Sequence, residues 1–179
     1  RLAAEWDNEG LTVEVAVNVS AAQFTTEFFE HLRQALARGG IKPGRLTVEI
    51  TESQAIADVP AAASGLAQLR ELGVDISIDD FGSGHSTVDQ LVGLPATELK
   101  IDQSIVHEES SAARRMMEAV IGLVRQRGLR VVAEGVETMA QLELVRRFRC
   151  DRAQGFFIAP PMPRAAVERF ISGHSAAGA

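Results

Sequence analysis

The strongest constraint in this sequence is a parity rule that recurs in six short segments. Val13 to Val19, Leu46 to Thr51, Val74 to Asp79, Glu98 to Asp102, Arg130 to Glu134 and Ala153 to Phe157 each read as a strand. Successive side chains of a strand point to opposite faces. In the first, Val13, Val15, Val17 and Val19 oppose Glu14, Ala16 and Asn18. Leu46, Val48 and Ile50 oppose Thr47, Glu49 and Thr51, and Val74, Ile76 and Ile78 oppose Asp75, Ser77 and Asp79. Leu99 and Ile101 oppose Glu98, Lys100 and Asp102; Val131 and Ala133 oppose Arg130, Val132 and Glu134; Gln154 opposes Ala153 and Gly155.

Helical patterns separate these strands. Ala22 to Arg38 carries Phe24, Phe28, Leu32 and Leu36 at four-residue steps and meets Gly39-Gly40. Further helices are expected over Pro60 to Leu72, Ser86 to Gly93, Ala112 to Arg127, Thr138 to Phe148 and Arg164 to Ile171. Thr138 and Gln141 have the spacing of a capping box. Arg1 to Asp7 is expected to be the tail of an earlier helix. Repeated βα units build a parallel sheet with helices outside. A sheet covered by helices on both sides is apolar on both faces, whereas each strand here keeps one polar face. A closed barrel accounts for that split, with helices on one face and a lumen on the other. The expected fold is an α/β TIM-type (β/α)8 barrel, incomplete here with about six of eight strands.

Asn18, Glu49, Asp79, Lys100, Glu134 and Gln154 all lie towards the carboxyl ends of their strands. That is the end where barrels of this type carry active sites. Clustered, partly buried carboxylates repel and lose hydration, and a divalent cation relieves both costs. An all-oxygen ligand set favours Mg²⁺ or Mn²⁺ over Zn²⁺. Adjacent Asp79-Asp80 has the placement to bridge two metals, about 3.5–4 Å apart in two-metal phosphoester chemistry.

The motifs around these residues are Val17-Asn18-Val19-Ser20, Val48-Glu49-Ile50-Thr51-Glu52, Asp79-Asp80-Phe81-Gly82-Ser83-Gly84, Leu99-Lys100-Ile101-Asp102, Ala133-Glu134-Gly135-Val136-Glu137, and Gln154-Gly155-Phe156 followed by Pro161-Met162-Pro163. Six in order, each at a strand end, resemble the EAL-domain cyclic di-GMP phosphodiesterases over roughly Trp6 to Ile171. The resemblance implies a (β/α)8 barrel holding two divalent cations, Mg²⁺ or Mn²⁺. It implies hydrolysis of cyclic di-GMP to linear pGpG in bacterial second-messenger signalling.

By the same resemblance Asn18, Glu49 and Asp79 are ligands of the first metal. Asp79 bridges to the second, with Asp80 and, directly or through water, Glu134 on that side. Lys100 holds and helps deprotonate the attacking water, Gln154 orients water or substrate, and Glu137 belongs to the same set. Glu52 anchors the loop after Asp79-Asp80, about Phe81 to Leu91, which the family links to homodimerisation and to control of metal binding.

The chain departs from the family pattern in several places. It has no Glu-Ala-Leu, so one metal-ligand Glu and a substrate-side Arg are expected in a first βαβ segment before Arg1, with a regulatory domain further upstream. The 179 residues alone are then expected to be inactive or far weaker than a longer chain. The loop has Gly84-His85-Ser86-Thr87-Val88 where the family commonly has a Tyr and then Ser-Ser-Leu. Thr97, Gln103 and Phe156 replace a common Asp, Arg and Tyr.

Other readings compete at single positions. Lys100 could instead pair within the lumen with Glu98 or Asp102, Glu137 could cap the helix at Thr138, and Glu52 could be an exposed loop residue. His31, His85, His107 and His174 show no metal-ligand spacing and are read as surface residues. At the level of the whole domain, one alternative is a catalytically inactive cyclic di-GMP sensor or regulatory dimerisation module. Another is an unrelated metal-dependent barrel enzyme such as an aldolase.

Composition narrows the partners. Net charge is −6, with sixteen Arg but only Lys42 and Lys100 as lysines, and no basic patch of the kind nucleic-acid binders carry is visible. DNA binding is therefore not expected. Cys150, the single cysteine, allows no internal disulfide and fits a reducing compartment. No apolar run approaches the ~20 residues that span a bilayer. A cytoplasmic domain is expected, with residues 1–171 forming the barrel and 172–179 a flexible tail or linker.

Overall fold

The computed structural model describes residues 5–6, 9–11, 13–39, 42–83, 93–108 and 110–175. Six parallel strands form one sheet in sequence order: β1 (Val15–Asn18), β2 (Leu46–Thr51), β3 (Asp75–Phe81), β4 (Glu98–Ile101), β5 (Arg130–Ala133) and β6 (Arg152–Ala153). The described α-helices are α1 (Thr26–Gly39), α2 (Glu52–Ala57), α3 (Val59–Glu71), α4 (Gln103–His107), α5 (Ser111–Gln126), α6 (Met139–Arg147) and α7 (Arg164–Ser175). The sheet curls into an incomplete TIM-type barrel. Glu14, just before β1, reaches Arg152 of β6, so the first and last strands of the sheet approach across its concave side.

The parity rule explains the layers. Val48, Ile50, Ile76, Ile78, Leu99, Ile101, Val131 and Ala133 are almost fully buried. They pack against Leu66 and Leu69 of α3 and Met117, Ile121 and Val124 of α5. On the other face Thr47, Glu49, Ser77, Asp79, Glu98 and Lys100 are also buried, but among polar neighbours in the lumen. Helix starts follow local chemistry: Asp58 accepts from Ala61 N–H at α3, and Ser110 accepts from Ala113 N–H at α5. Thr138 and Gln141 close the expected capping box at α6.

Several boundaries differ from the sequence reading. The helix expected from Ala22 splits into a 3₁₀ turn at Ala21–Gln23 and α1. The short helix α2 was missed; it follows β2 directly and abuts α3 at Asp58. β3 runs two residues past Asp79, to Phe81. The last strand is Arg152–Ala153 rather than Ala153 to Phe157, because Ile158 and Ala159 both donate to Gly155 O and curl residues 155–158 into a turn. α7 continues to Ser175, past the Ile171 at which the sequence pattern ends it. The helix expected from Ser86 and most of the loop expected to mediate dimerisation, residues 84–92, lie outside the described residues. Of the opening helix tail only Glu5 and Trp6 are described, both helical.

Candidate active site: a carboxylate cluster around Lys100

β2, β3, β4 and the end of β5 carry Glu49, Asp79, Lys100 and Glu134 onto the same lumenal layer. Lys100 Nζ lies 3.3 Å from Glu49 Oε1, 2.9 Å from Asp79 Oδ1 and 2.8 Å from Glu134 Oε1. Its side chain is only 5 % exposed. The partners come from three other strand ends, so neither Glu98 nor Asp102 holds Lys100. Glu98 instead pairs with Arg130 and Arg152.

Asp80 joins the cluster through a break in the parity rule. Strict alternation would send it to the helix side. The β3–β4 register runs Ser77 opposite Glu98, Ile78 opposite Leu99, then Phe81 opposite Ile101. Asp79 and Asp80 thus share the place opposite Lys100, as in a β-bulge. Asp80 has φ 61°, a region that Asp and Asn enter more readily than most residues. Its N–H donates to Asp79 Oδ1 at 3.0 Å. Ligand oxygens of Asp79, Asp80 and Glu134 lie within 4.8 Å of one another.

Glu52 stands behind this turn. It is 1 % exposed, and its Oε2 accepts from Gly82 N–H at 2.9 Å. Asn18 is level with Glu49 in the β1–β2 register, at the exposed end of β1. Glu137 and Gln154 line a cleft of about 290 Å³ above the cluster, together with Asp80, Asp102, Glu134 and Phe156. Glu137 leaves the capping of α6 to Thr138 and Gln141, and its own N–H donates to Gln141 Oε1.

The electrostatics follow from crowding like charges at low hydration. Burial pushes the Glu134 carboxyl up to about 7, against the pull of Lys100 and with Asp79 adding to the rise. Burial also raises Glu49, opposed by Lys100 and reinforced by Asp79. Asp80 is raised by burial and then by Asp79 and Asp102. For Lys100 burial acts downward, but hydrogen bonds to Glu134 and Asp79 and the charges around it outweigh this and hold the ammonium above its ordinary range. An ammonium held this way donates and has no lone pair to take a proton. Proton transfer to Lys100 therefore requires that the carboxylates first be relieved of their charge.

The donor set fits divalent cations. Three carboxylates converge on one ammonium, a fourth, Asp80, stands beside Asp79 and Glu134, and every candidate ligand atom is an oxygen. Two residues at the site escaped the sequence reading. Asp102 lines the cleft and caps α4 through Ser104 N–H; its shared parity with Lys100 was the available signal. His107, read as a surface residue, is exposed but bonds the main chain beside Glu134.

Known proteins share this fold. The bifunctional diguanylate cyclase/cyclic di-GMP phosphodiesterase MucR of Pseudomonas aeruginosa is 44% identical over 152 residues, 83% of this chain and 22% of that protein. The chain thus spans about a fifth of the length of that curated relative. The structure of the PaMucR phosphodiesterase with c-di-GMP superposes with a TM-score of 0.85 at 40% identity, covering 93% of this chain and 69% of the other. A manganese/cyclic di-GMP complex of Klebsiella pneumoniae BlrP1 gives a TM-score of 0.79 at 26% identity, covering 87% of this chain and 40% of the other. The EAL domain family model matches residues 1–161, and the chain belongs to that family.

Proposed function

We propose that this domain, within its full chain, is a metal-dependent phosphodiesterase that hydrolyses cyclic di-GMP to linear pGpG. The observation that carries this reading is the Lys100 ammonium held at 2.8–3.3 Å by Glu49, Asp79 and Glu134, with Asp80 folded in beside them. Support comes from family membership and from the cyclic di-GMP complexes of PaMucR and BlrP1.

Asn18, Glu49 and Asp79 would hold one Mg²⁺ or Mn²⁺, and Asp79, Asp80 and Glu134 a second. Such a pair supplies a water of lowered pKa and neutralises charge on a phosphodiester. Lys100 would donate to such a water and orient it; it could help deprotonate the water only as a neutral amine, after cations had offset its carboxylate partners and its own extra proton had passed to solvent. Gln154 and Glu137 face the cleft, where they position substrate or water. Glu52 fixes the turn that presents Asp80. Homodimerisation through the loop after Asp80 and control by an upstream regulatory domain in the cytoplasm complete the reading.

The test is conversion of cyclic di-GMP to pGpG by the full chain with Mg²⁺ or Mn²⁺. Asp79→Ala and Glu49→Ala are expected to abolish it. Nucleotide binding without product in the unsubstituted protein would point instead to a sensor.

A further inference from the structure

The ten residues from Glu98 to His107 grip Glu134 twice. Lys100 holds its side chain, Nζ to Oε1 at 2.8 Å. His107, the last residue of α4, places Nε2 2.6 Å from the carbonyl oxygen of Gly135, the residue after Glu134. A carbonyl oxygen only accepts, so the ring presents N–H at Nε2, which the Nε2–H tautomer and the imidazolium both provide. Among the described residues no main-chain N–H serves Gly135 O.

The rest of this turn is fixed on both sides. Glu134 N–H donates to Ile101 O at 3.0 Å, and Val136 N–H donates to Gln154 O at 3.0 Å. Gly135 has φ +65°, and a Cβ there would fall 2.3 Å from Gln103 Cβ. Gln103 and His107 are four residues apart on α4, so one helix face covers the turn. The Gly135 carbonyl is the point in this bracing that depends on a side chain.

The two grips respond differently to a cation. A cation competes with Lys100 for the carboxylate oxygens of Glu134, so the side-chain grip weakens as the site fills. The grip on Gly135 O involves no ligand atom and persists. We infer that His107 is a positioning residue whose Nε2–H bond to Gly135 O fixes the turn that presents Glu134 to a divalent cation. This rests on the proposed role of Glu134 as a cation ligand.

The experiment is calorimetric titration of the full chain with Mn²⁺ alone, alongside cyclic di-GMP turnover across a range of Mn²⁺. His107→Ala is expected to weaken Mn²⁺ binding by about tenfold or more, the usual size for loss of an outer partner. Its turnover deficit should be confined to sub-saturating Mn²⁺. His107→Gln, which offers an N–H at similar reach, should restore affinity. Unchanged affinity in His107→Ala, or an equal loss in His107→Gln, overturns the inference. Glu134→Gln separates the two levels: if it too leaves Mn²⁺ binding unchanged, the role of Glu134 fails; if it weakens binding while His107→Ala does not, only the role of His107 fails.

Discussion

The two ends of this half-barrel carry two charged layers, and they balance differently. At the amino ends, Arg70, Asp75, Arg130, Glu98, Arg152 and Glu14 alternate in one continuous chain of ion pairs. Three arginines meet three carboxylates, and buried Glu98 is shared by two guanidinium groups. At the carboxyl ends, Lys100 is the one cation that the described residues set against Glu49, Asp79 and Glu134, with Asp80 beside them. Ser77 lies between the layers, with its buried hydroxyl unpartnered by protein. The lower layer neutralises itself. The upper layer is short of positive charge by construction, and that deficit is what suits it to cations.

The comparison can be broken most directly by moving the lesion between layers. Asp79→Ala should abolish metal-dependent hydrolysis. Glu98→Gln should keep hydrolysis but lose about 1 kcal/mol of stability in urea unfolding, since partly exposed Arg130 and Arg152 each lose one carboxylate and keep Asp75 and Glu14. A Glu98→Gln protein that folds normally yet cannot hydrolyse would erase the distinction.

Lys100→Ala should stop turnover while nucleotide binding persists. Removal of the competing ammonium should also keep Mn²⁺ affinity equal to or above that of the unsubstituted chain, as read by calorimetry. The pH dependence is smaller but has a definite sign. In the metal-free fold Glu134 titrates near 7 instead of 4.5, so the native state keeps a proton that the unfolded chain releases. Stability from this group is complete below about pH 4.5 and is lost as pH rises through about 7. Melting curves across that window should show the decline, and Glu134→Gln should flatten it.

Glu52→Ala should lower stability by about 1–3 kcal/mol, because Gly82 N–H loses its buried acceptor. Mn²⁺ affinity should fall with it, since Gly82 closes the turn that carries Asp80. The smallest effect belongs to the rim. Arg125 and Asp151, 3.7 Å apart and both well exposed, should contribute at most about 1 kcal/mol, read as the change in denaturation midpoint for Arg125→Ala.

Much of this layering was legible in the sequence because a strand repeats every two residues. Alternation alone put Glu49, Asp79 and Lys100 in the lumen, and Glu14, Asp75, Glu98 and Arg130 on the same face nearer the other end. What alternation could not show was where it fails. Asp80 enters the cluster only through a bulge and a left-handed φ, and the bulge is a matter of pairing with β4 that alternation along one strand does not reveal. The last strand was overread because Phe156 and Phe157 look strand-like, whereas both are exposed in a turn closed by Gly155. Ion-pair partners were equally hidden. Lys100 was weighed against neighbours on its own strand, but curvature brings it carboxylates from three others.

The central claim is that the upper layer's charge deficit, and not the lumen's acidity as a whole, binds cations. The rise in melting temperature produced by saturating Mn²⁺ tests it in three proteins: the unsubstituted full chain, Asp79→Asn and Glu98→Gln. Binding at a hundredfold excess over Kd stabilises a fold by about 2.7 kcal/mol, a readily measured shift. The rise should vanish in Asp79→Asn and survive in full in Glu98→Gln, despite the latter's lower starting temperature. A rise preserved in Asp79→Asn, or lost in Glu98→Gln, would contradict the account.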